Sequence, residues 1–230
     1  MFKLGTALLL GIAWALPADL AAPFPNIEVA PKDEGPADKS FAAFRDSLSK
    51  VIDKRNVDEL LKAVDPDIKC GFGGDDGVIA FVQTWELKTE PAKSRIWQEL
   101  REVLRLGGAF MDFDGDKLFI APYTHTEFPG ELEPYEFGLV TGAGVRIRSE
   151  PGSKSKEVAK VSYAAVRFLD DAEPKEESIG DETFPWRKVA LADGTQGYIW
   201  GKYVRSPIDF RAGFSKKSGE WRMTFFVAGD

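Results

Sequence analysis

The chain has 230 residues, of which 43% are hydrophobic, 29% charged and 12% aromatic. That is the composition of a folded globular protein of one or two domains, and it excludes wholesale disorder. Thirty basic residues stand against 37 acidic ones, a net charge of −7, which excludes a nucleic acid as the main partner because phosphate contacts need a basic surface.

The first 22 residues read as a secretory signal. Met1-Phe2-Lys3 is a short positive start, and Leu4 to Leu16 is apolar throughout. That run is too short for the ~20 residues that span a bilayer. Ala13-Trp14-Ala15 is a small-residue cleavage pattern and Leu16-Pro17-Ala18 a second one. Later segments hold no apolar run of membrane-spanning length, so the mature chain is expected to be exported and peripheral to a membrane at most. Pro23, Pro25, Pro31 and Pro36 interrupt any regular element, and residues 23–37 read as a flexible linker.

Residues 38–130 read as a helix-rich α+β domain. Phe41, Phe44, Leu48, Val51 and Ile52 share one helical face. Asn56 starts a second helix, with Glu59 at the capping-box position, and Pro66 ends it. Ile68 to Phe72 follows as a short strand, and Val78 to Leu87 as a third helix. Pro91 opens a fourth, lined by Ile96, Trp97, Leu100, Val103 and Leu104 and closed by Gly107-Gly108. Phe110 to Phe113 and Leu118 to Ile120 flank Asp114-Gly115-Asp116 as a hairpin.

Two local patterns in this region imitate ligand motifs. Asp112, Asp114 and Asp116 alternate as in a calcium loop, but Lys117 and Tyr123 occupy the positions that need Gly and Glu. Gly71-Phe72-Gly73-Gly74 lacks the Lys-Ser/Thr of a phosphate loop, and two aspartates follow it. The expectation is no metal and no cofactor. Cys70 is the single cysteine, so an intramolecular disulfide is impossible. It reads as a buried thiol, and His125, between two threonines, as structural.

From Tyr135 the pattern changes to short strands: Phe137–Thr141, Val145–Arg148, Glu157–Val161, Val166–Leu169, Arg187–Leu191 and Gly197–Ile199. Gly194 and Gly197 read as the positive-φ positions of the turn after Asp193. Trp186 and Tyr198 belong to these paired strands, and Trp200 and Tyr203 cluster beside them. Between Asp170 and Glu182, seven acidic residues face one basic residue, Lys175, a net −6. Such a run reads as a solvated loop.

Several spaced elements here resemble bacterial SH3-like (SH3b) domains. Val145-Arg146-Ile147-Arg148-Ser149-Glu150-Pro151 looks like the family's opening Val-x-Val-Arg-x-x-Pro. Trp186-Arg187-Lys188-Val189 is similar to its Trp-x-x-Val, Asp193-Gly194-Thr195-Gln196-Gly197-Tyr198-Ile199 to its Asp-Gly-x-x-Gly-Trp-Val, and Lys202-Tyr203-Val204 to its closing Tyr-Val. Tyr163-Ala164-Ala165 replaces the usual glycine, Tyr198 replaces a tryptophan, and the acidic stretch is an insert. The resemblance covers residues 136–205 and implies a small all-β barrel, over 131–205, that binds cell-wall peptide or a protein partner. The residues it points to are Arg148, Glu150, Trp186, Tyr198, Trp200 and Tyr203. It also implies a bacterial cell envelope, with the mature protein periplasmic or secreted.

Residues 206–230 read as a last hairpin: Phe210, Ala212 and Phe214 alternate, then Trp221, Met223, Phe225 and Val227 alternate back. An amphipathic hairpin must be covered, and the first domain is the expected cover. Helices before strands and the Gly219-Glu220-Trp221 turn faintly resemble the cone fold of nuclear transport factor and ketosteroid isomerase. The expected fold class is therefore α+β: a helix-rich α+β domain, a small SH3-like barrel, and a C-terminal hairpin returning to the first domain.

Catalytic patterns are sparse. One cysteine and one histidine cannot supply a set of zinc ligands, Gly-x-Ser-x-Gly is absent, and Cys70 sits in a strand context rather than at a helix N-terminus. The expected function is an exported, non-enzymatic binding protein. The alternative is a cell-envelope hydrolase or a small-ligand pocket protein using the first domain.

Overall fold

A computed structural model describes residues 23–113, 115–169 and 174–229. The segment read as a secretory signal, Asp114 and residues 170–173 of the acidic run lie outside the described residues. Those described form a mixed α+β protein with five α-helices and two sheets.

The N-terminal half begins with α1 (Lys39–Asp53), whose Asp38 cap accepts from the backbone N–H groups of Ser40 and Phe41. Asn56 caps α2 (Val57–Ala63) by accepting from Glu59 N–H. The chain passes directly into β1 (Val64–Lys69), earlier than the sequence pattern predicts and straight through Pro66. Proline is tolerated because β1 is a sheet edge, paired in parallel with one strand and with its register interrupted between Val64 and Lys69. Helix α3 (Gly77–Thr84) is shorter than expected. Pro91 opens only a 3-10 turn (Pro91–Lys93), and α4 (Ile96–Arg105) begins later. Ser94 separates the two, its hydroxyl donating to Trp85 O at 2.6 Å and accepting from Ile96 N–H at 3.3 Å. Strands β2 (Ala109–Phe113) and β3 (Asp116–Ala121) then form a hairpin, followed by the short α5 (Tyr123–Thr126).

The five-stranded sheet of this half is completed from the other end of the sequence. Its order is β1-β13-β12-β3-β2, where β12 (Arg211–Lys217) and β13 (Glu220–Val227) are the last hairpin. Ala212 to Ser215 pair with Ala121 to Leu118. Helices α1 and α4 cover one face, and the space between is filled by Phe41, Leu100, Phe119, Phe214, Trp221 and Met223.

The second sheet contains β4 (Phe137–Val140), β5 (Val145–Arg148), β6 (Glu157–Val161), β7 (Ala165–Phe168), β8 (Glu176–Ile179), β9 (Glu182–Ala190), β10 (Gln196–Trp200) and β11 (Val204–Arg205). Its order runs β11-β4-β7-β9-β10-β5-β6, with β8 paired only to β9. Val140, Ile147, Val166, Val189 and Ile199 form its core. Gly194 has φ +85, as its turn requires, and Asp193 accepts from Thr195 N–H. Gly197 does not have a positive φ. A Cβ there would lie 2.6 Å from Arg148 O, so this glycine permits close approach of β5 rather than making the turn.

Two segments differ from their sequence readings. The proposed flexible linker is a packed strap. Phe24, Ile27 and Val29 pack with Leu132, Phe137, Leu139 and Ala165, and Val29 N–H donates to Tyr163 O and Ala165 N–H to Ile27 O, each at 2.8 Å. The strap then reaches the other half, where Glu34 N–H donates to Gly108 O and its carboxylate accepts from Phe110 N–H, each at 2.8 Å. Its prolines stop helix formation but not packing. The acidic run, expected as a solvated loop, contains β8. Glu176 to Ile179 pair with Pro185 to Glu182, and Gly180, at φ +68, makes the turn with Asp181.

Candidate functional site

A groove of about 410 Å³ lies on the second sheet, lined by the Ala143-Gly144-Val145 turn, Arg146, Arg148, Ser153, Ile179, Trp186, Trp200 and Tyr203. Four of the six residues suggested by the sequence meet here: Arg148, Trp186, Trp200 and Tyr203. Strand β5 supplies Arg148, β9 supplies Trp186, and the end of β10 with the 3-10 turn after it supplies Trp200 and Tyr203. Tyr198 and Glu150 are not among the lining residues. Tyr198 pairs in register with Arg148 and Lys188, and Glu150 lies exposed in the turn after β5.

The tryptophans are not open stacking platforms. Trp186 is 3% exposed and Trp200 6%. Trp186 Nε1–H donates to Glu177 Oε2 at 2.7 Å. Trp200 Nε1–H is shared between Glu177 O and Phe184 O, each at 3.2 Å. Tyr203, at 39%, is the exposed ring, 5.9 Å from that of Trp200.

Glu177 is the residue that sequence reasoning missed. Besides Trp186 it accepts from Ser153 N–H at 2.8 Å and from Ser153 Oγ–H at 2.6 Å. The Ser153 hydroxyl, with Trp186 and the Ser153 amide, holds its carboxyl below the ordinary range. The signal that could have found it is Ile179-Gly180-Asp181-Glu182, a two-residue hairpin turn hidden within the charge run. Arg148 Nη1 donates to Ser155 O at 2.6 Å, which fixes the loop carrying Ser153.

A larger cavity, about 550 Å³, lies elsewhere, between α4 and the tip of β8–β9, with Arg55, Arg101, Asp53, Glu102, Asp181 and Glu182 on its walls. On its walls Arg101 pairs with Asp53 at 3.3 Å, and the buried Glu102 pairs with Arg105, outside the lining, at 2.6 Å. Gln98 Nε2 donates to Thr183 O across it.

Cys70 is half-buried, its Sγ near the carbonyls of Ile68 and Gly77. Burial, with Asp76 nearby, pushes its thiol above the ordinary value. His125 Nδ1 lies 3.0 Å from Pro207 O. Among the described residues no three His, Cys, Asp or Glu side chains are grouped to hold a metal ion, and no helix is long and apolar enough to cross a membrane. In comparisons with known proteins, no family model, no curated protein and no solved structure matches the chain.

Proposed function

We propose that the protein is an exported, non-enzymatic binding protein of the bacterial cell envelope whose second sheet is an SH3-like module that binds cell-wall peptide. The observation that carries the reading is the groove, because it gathers Arg148, Trp186 and Tyr203 from three separate motifs of the resemblance, with Trp200 beside them. A concave, partly apolar site with a few polar groups suits an extended peptide. Backbone geometry supports the SH3-like assignment as well. Tyr163 stands where the family has glycine, and it adopts φ +52, a conformation in which glycine is favoured. The strap holds it there through Val29 N–H. The raised Cys70 thiol runs counter to the lowered pKa a cysteine nucleophile needs. Packed rings fill the space between the first sheet and its helices.

Co-sedimentation of residues 23–230 with purified peptidoglycan tests the proposal. Wild-type protein is expected in the pellet, and Tyr203→Ala, which removes the exposed ring, is expected to bind about tenfold more weakly. Wild-type protein left wholly in the supernatant would overturn it.

A further inference from the structure

The groove ends in a set of hydrogen-bond donors already occupied by the protein itself. Ser153 N–H, Ser153 Oγ–H and Trp186 Nε1–H converge on the Glu177 carboxylate, at 2.8, 2.6 and 2.7 Å. Both oxygens are engaged: Oε1 takes the hydroxyl, and Oε2 takes the amide and the indole. Three hydrogen-bond donors converging on one planar anion make a carboxylate receptor. Ser153 and Trp186 both line the groove, so a ligand lying in it reaches the same donors.

The wall of the groove points the same way. Its two charged lining residues are Arg146 and Arg148, both cationic, in a chain of net −7. Arg146 pairs with Glu157 at 3.0 Å and Arg148 donates to Ser155 O, while the carboxylate that occupies the three donors comes from β8, a four-residue strand paired only to β9. Glu177 is thus a side chain on a short flanking strand, and the donors belong to the body of the module. Withdrawal of Glu177 leaves the main ladder of β4, β5, β7, β9 and β10 intact.

We infer that Ser153 and Trp186 form a carboxylate-binding subsite that Glu177 fills in cis, and that the groove takes a peptide with a free carboxylate, which displaces Glu177. The inference rests on the peptide-binding reading above and adds the chemical group recognised. It also makes Glu177 an internal competitor. Apparent affinity is reduced by the fraction of molecules in which the donors are occupied.

The test uses residues 23–230 and two probes: soluble peptidoglycan fragments with native carboxylates, and the same fragments with carboxylates converted to amides. Binding is followed by intrinsic tryptophan fluorescence and by calorimetry. The expected result is that Glu177→Ala binds native fragments about tenfold more tightly than wild type, with no gain for amidated fragments. Adding Ser153→Ala to Glu177→Ala abolishes the gain. Glu177→Gln, which keeps the side-chain volume, is expected to shift affinity in the same direction, and it decides the matter if the alanine variant does not fold. Native and amidated fragments bound equally by all variants would overturn the carboxylate subsite and leave the peptide-binding reading standing. Failure of wild type and every folded variant to bind either probe would overturn both.

Discussion

The indole nitrogen of Trp221 donates to Ser40 Oγ at 2.9 Å, joining residues 181 positions apart in the chain. Ser40 lies in the first turn of α1 and itself donates to the Asp38 cap at 2.6 Å. The Trp221 ring stands edge-on to Phe41, with centroids 4.9 Å apart. The helix that opens the first half is therefore fastened to the strand that closes it, by one polar contact and one large apolar one.

The apolar contact is the stronger of the two. Trp221→Ala is expected to cost about 3–5 kcal/mol, as for other buried large aromatics, and Ser40→Ala about 1 kcal/mol for its hydrogen bonds. Urea unfolding of both variants checks the order. Equal losses would mean that the indole hydrogen bond, not the ring, holds the hairpin.

Within the same hairpin two substitutions are expected to act in opposite directions. The Phe225 ring lies directly over Gly213 on the paired strand, where any Cβ would collide with it. Gly213→Ala should lose about 1–3 kcal/mol through overpacking. Ser218 and Gly219 form the turn with φ +52 and +87, the pair of positive values favouring Asn-Gly. Ser218→Asn should therefore gain about 0.5 kcal/mol by easing the left-handed residue. Thermal melts of the two variants should move to either side of wild type.

Tyr123 gives the fold an alkaline limit. Its side chain is fully buried and its Oη finds no hydrogen-bond partner among the described residues. Burial pushes its pKa up to about 12 from an ordinary 10.0. The folded state keeps a proton that the unfolded state releases. The associated stability is complete below pH 10.0 and is lost as pH rises towards about 12. Tyr123→Phe removes this dependence and relieves an unpaired hydroxyl, so its midpoint at neutral pH should not fall below wild type. Denaturant melts of both proteins across that window provide the comparison, and parallel losses would reject the assignment.

The acid limit has the opposite sign. Glu34 is held below its ordinary 4.5 first by Phe110 N–H and then by Lys32. Asp38 is held below 3.8 first by the Ser40 hydroxyl and then by Phe41 N–H. Unfolding lets both carboxylates take up protons more readily, so their contribution is present above the ordinary values and fades as pH falls through them. Glu34→Gln should lower stability at neutral pH and flatten the decline below about pH 4.5. A decline as steep as that of wild type would show that Glu34 is not among its causes.

Elements governed by local periodicity were legible in the sequence. The apolar face of Phe41, Leu48 and Ile52 and the Asn56 cap correspond to α1 and α2, and β5 and β6 have the bounds their alternation indicates. What was hidden depended on distant partners. Pro66 reads as a stop until the edge position of β1 is known, and the prolines of the strap read as a linker until the exposed edge near Tyr163 and Ala165 is known. Glu177 was the largest omission at the site. Its charge places it with solvent, and only the arrival of Ser153 and Trp186 from other parts of the chain gives its carboxylate partners. Trp186 and Trp200 were grouped with Tyr203 from the sequence, but their covering by β8 could not be read from their spacing.

The position of β12 and β13 between β1 and β3 also orders events during synthesis. A ribosome produces β1, β3 and the helices first, then the whole of the second sheet, and only afterwards the two strands that belong at the centre of the first. The second sheet has its strands in hand earlier and is free to fold while translation continues. The first half must wait, with Phe119 and Ile68 exposed, until a distant segment arrives to close it, a high-contact-order step that is slow and open to aggregation. A chain drawn N-terminus first through a narrow pore would thus meet the pore with its leading half still unable to fold for as long as β13 has not emerged.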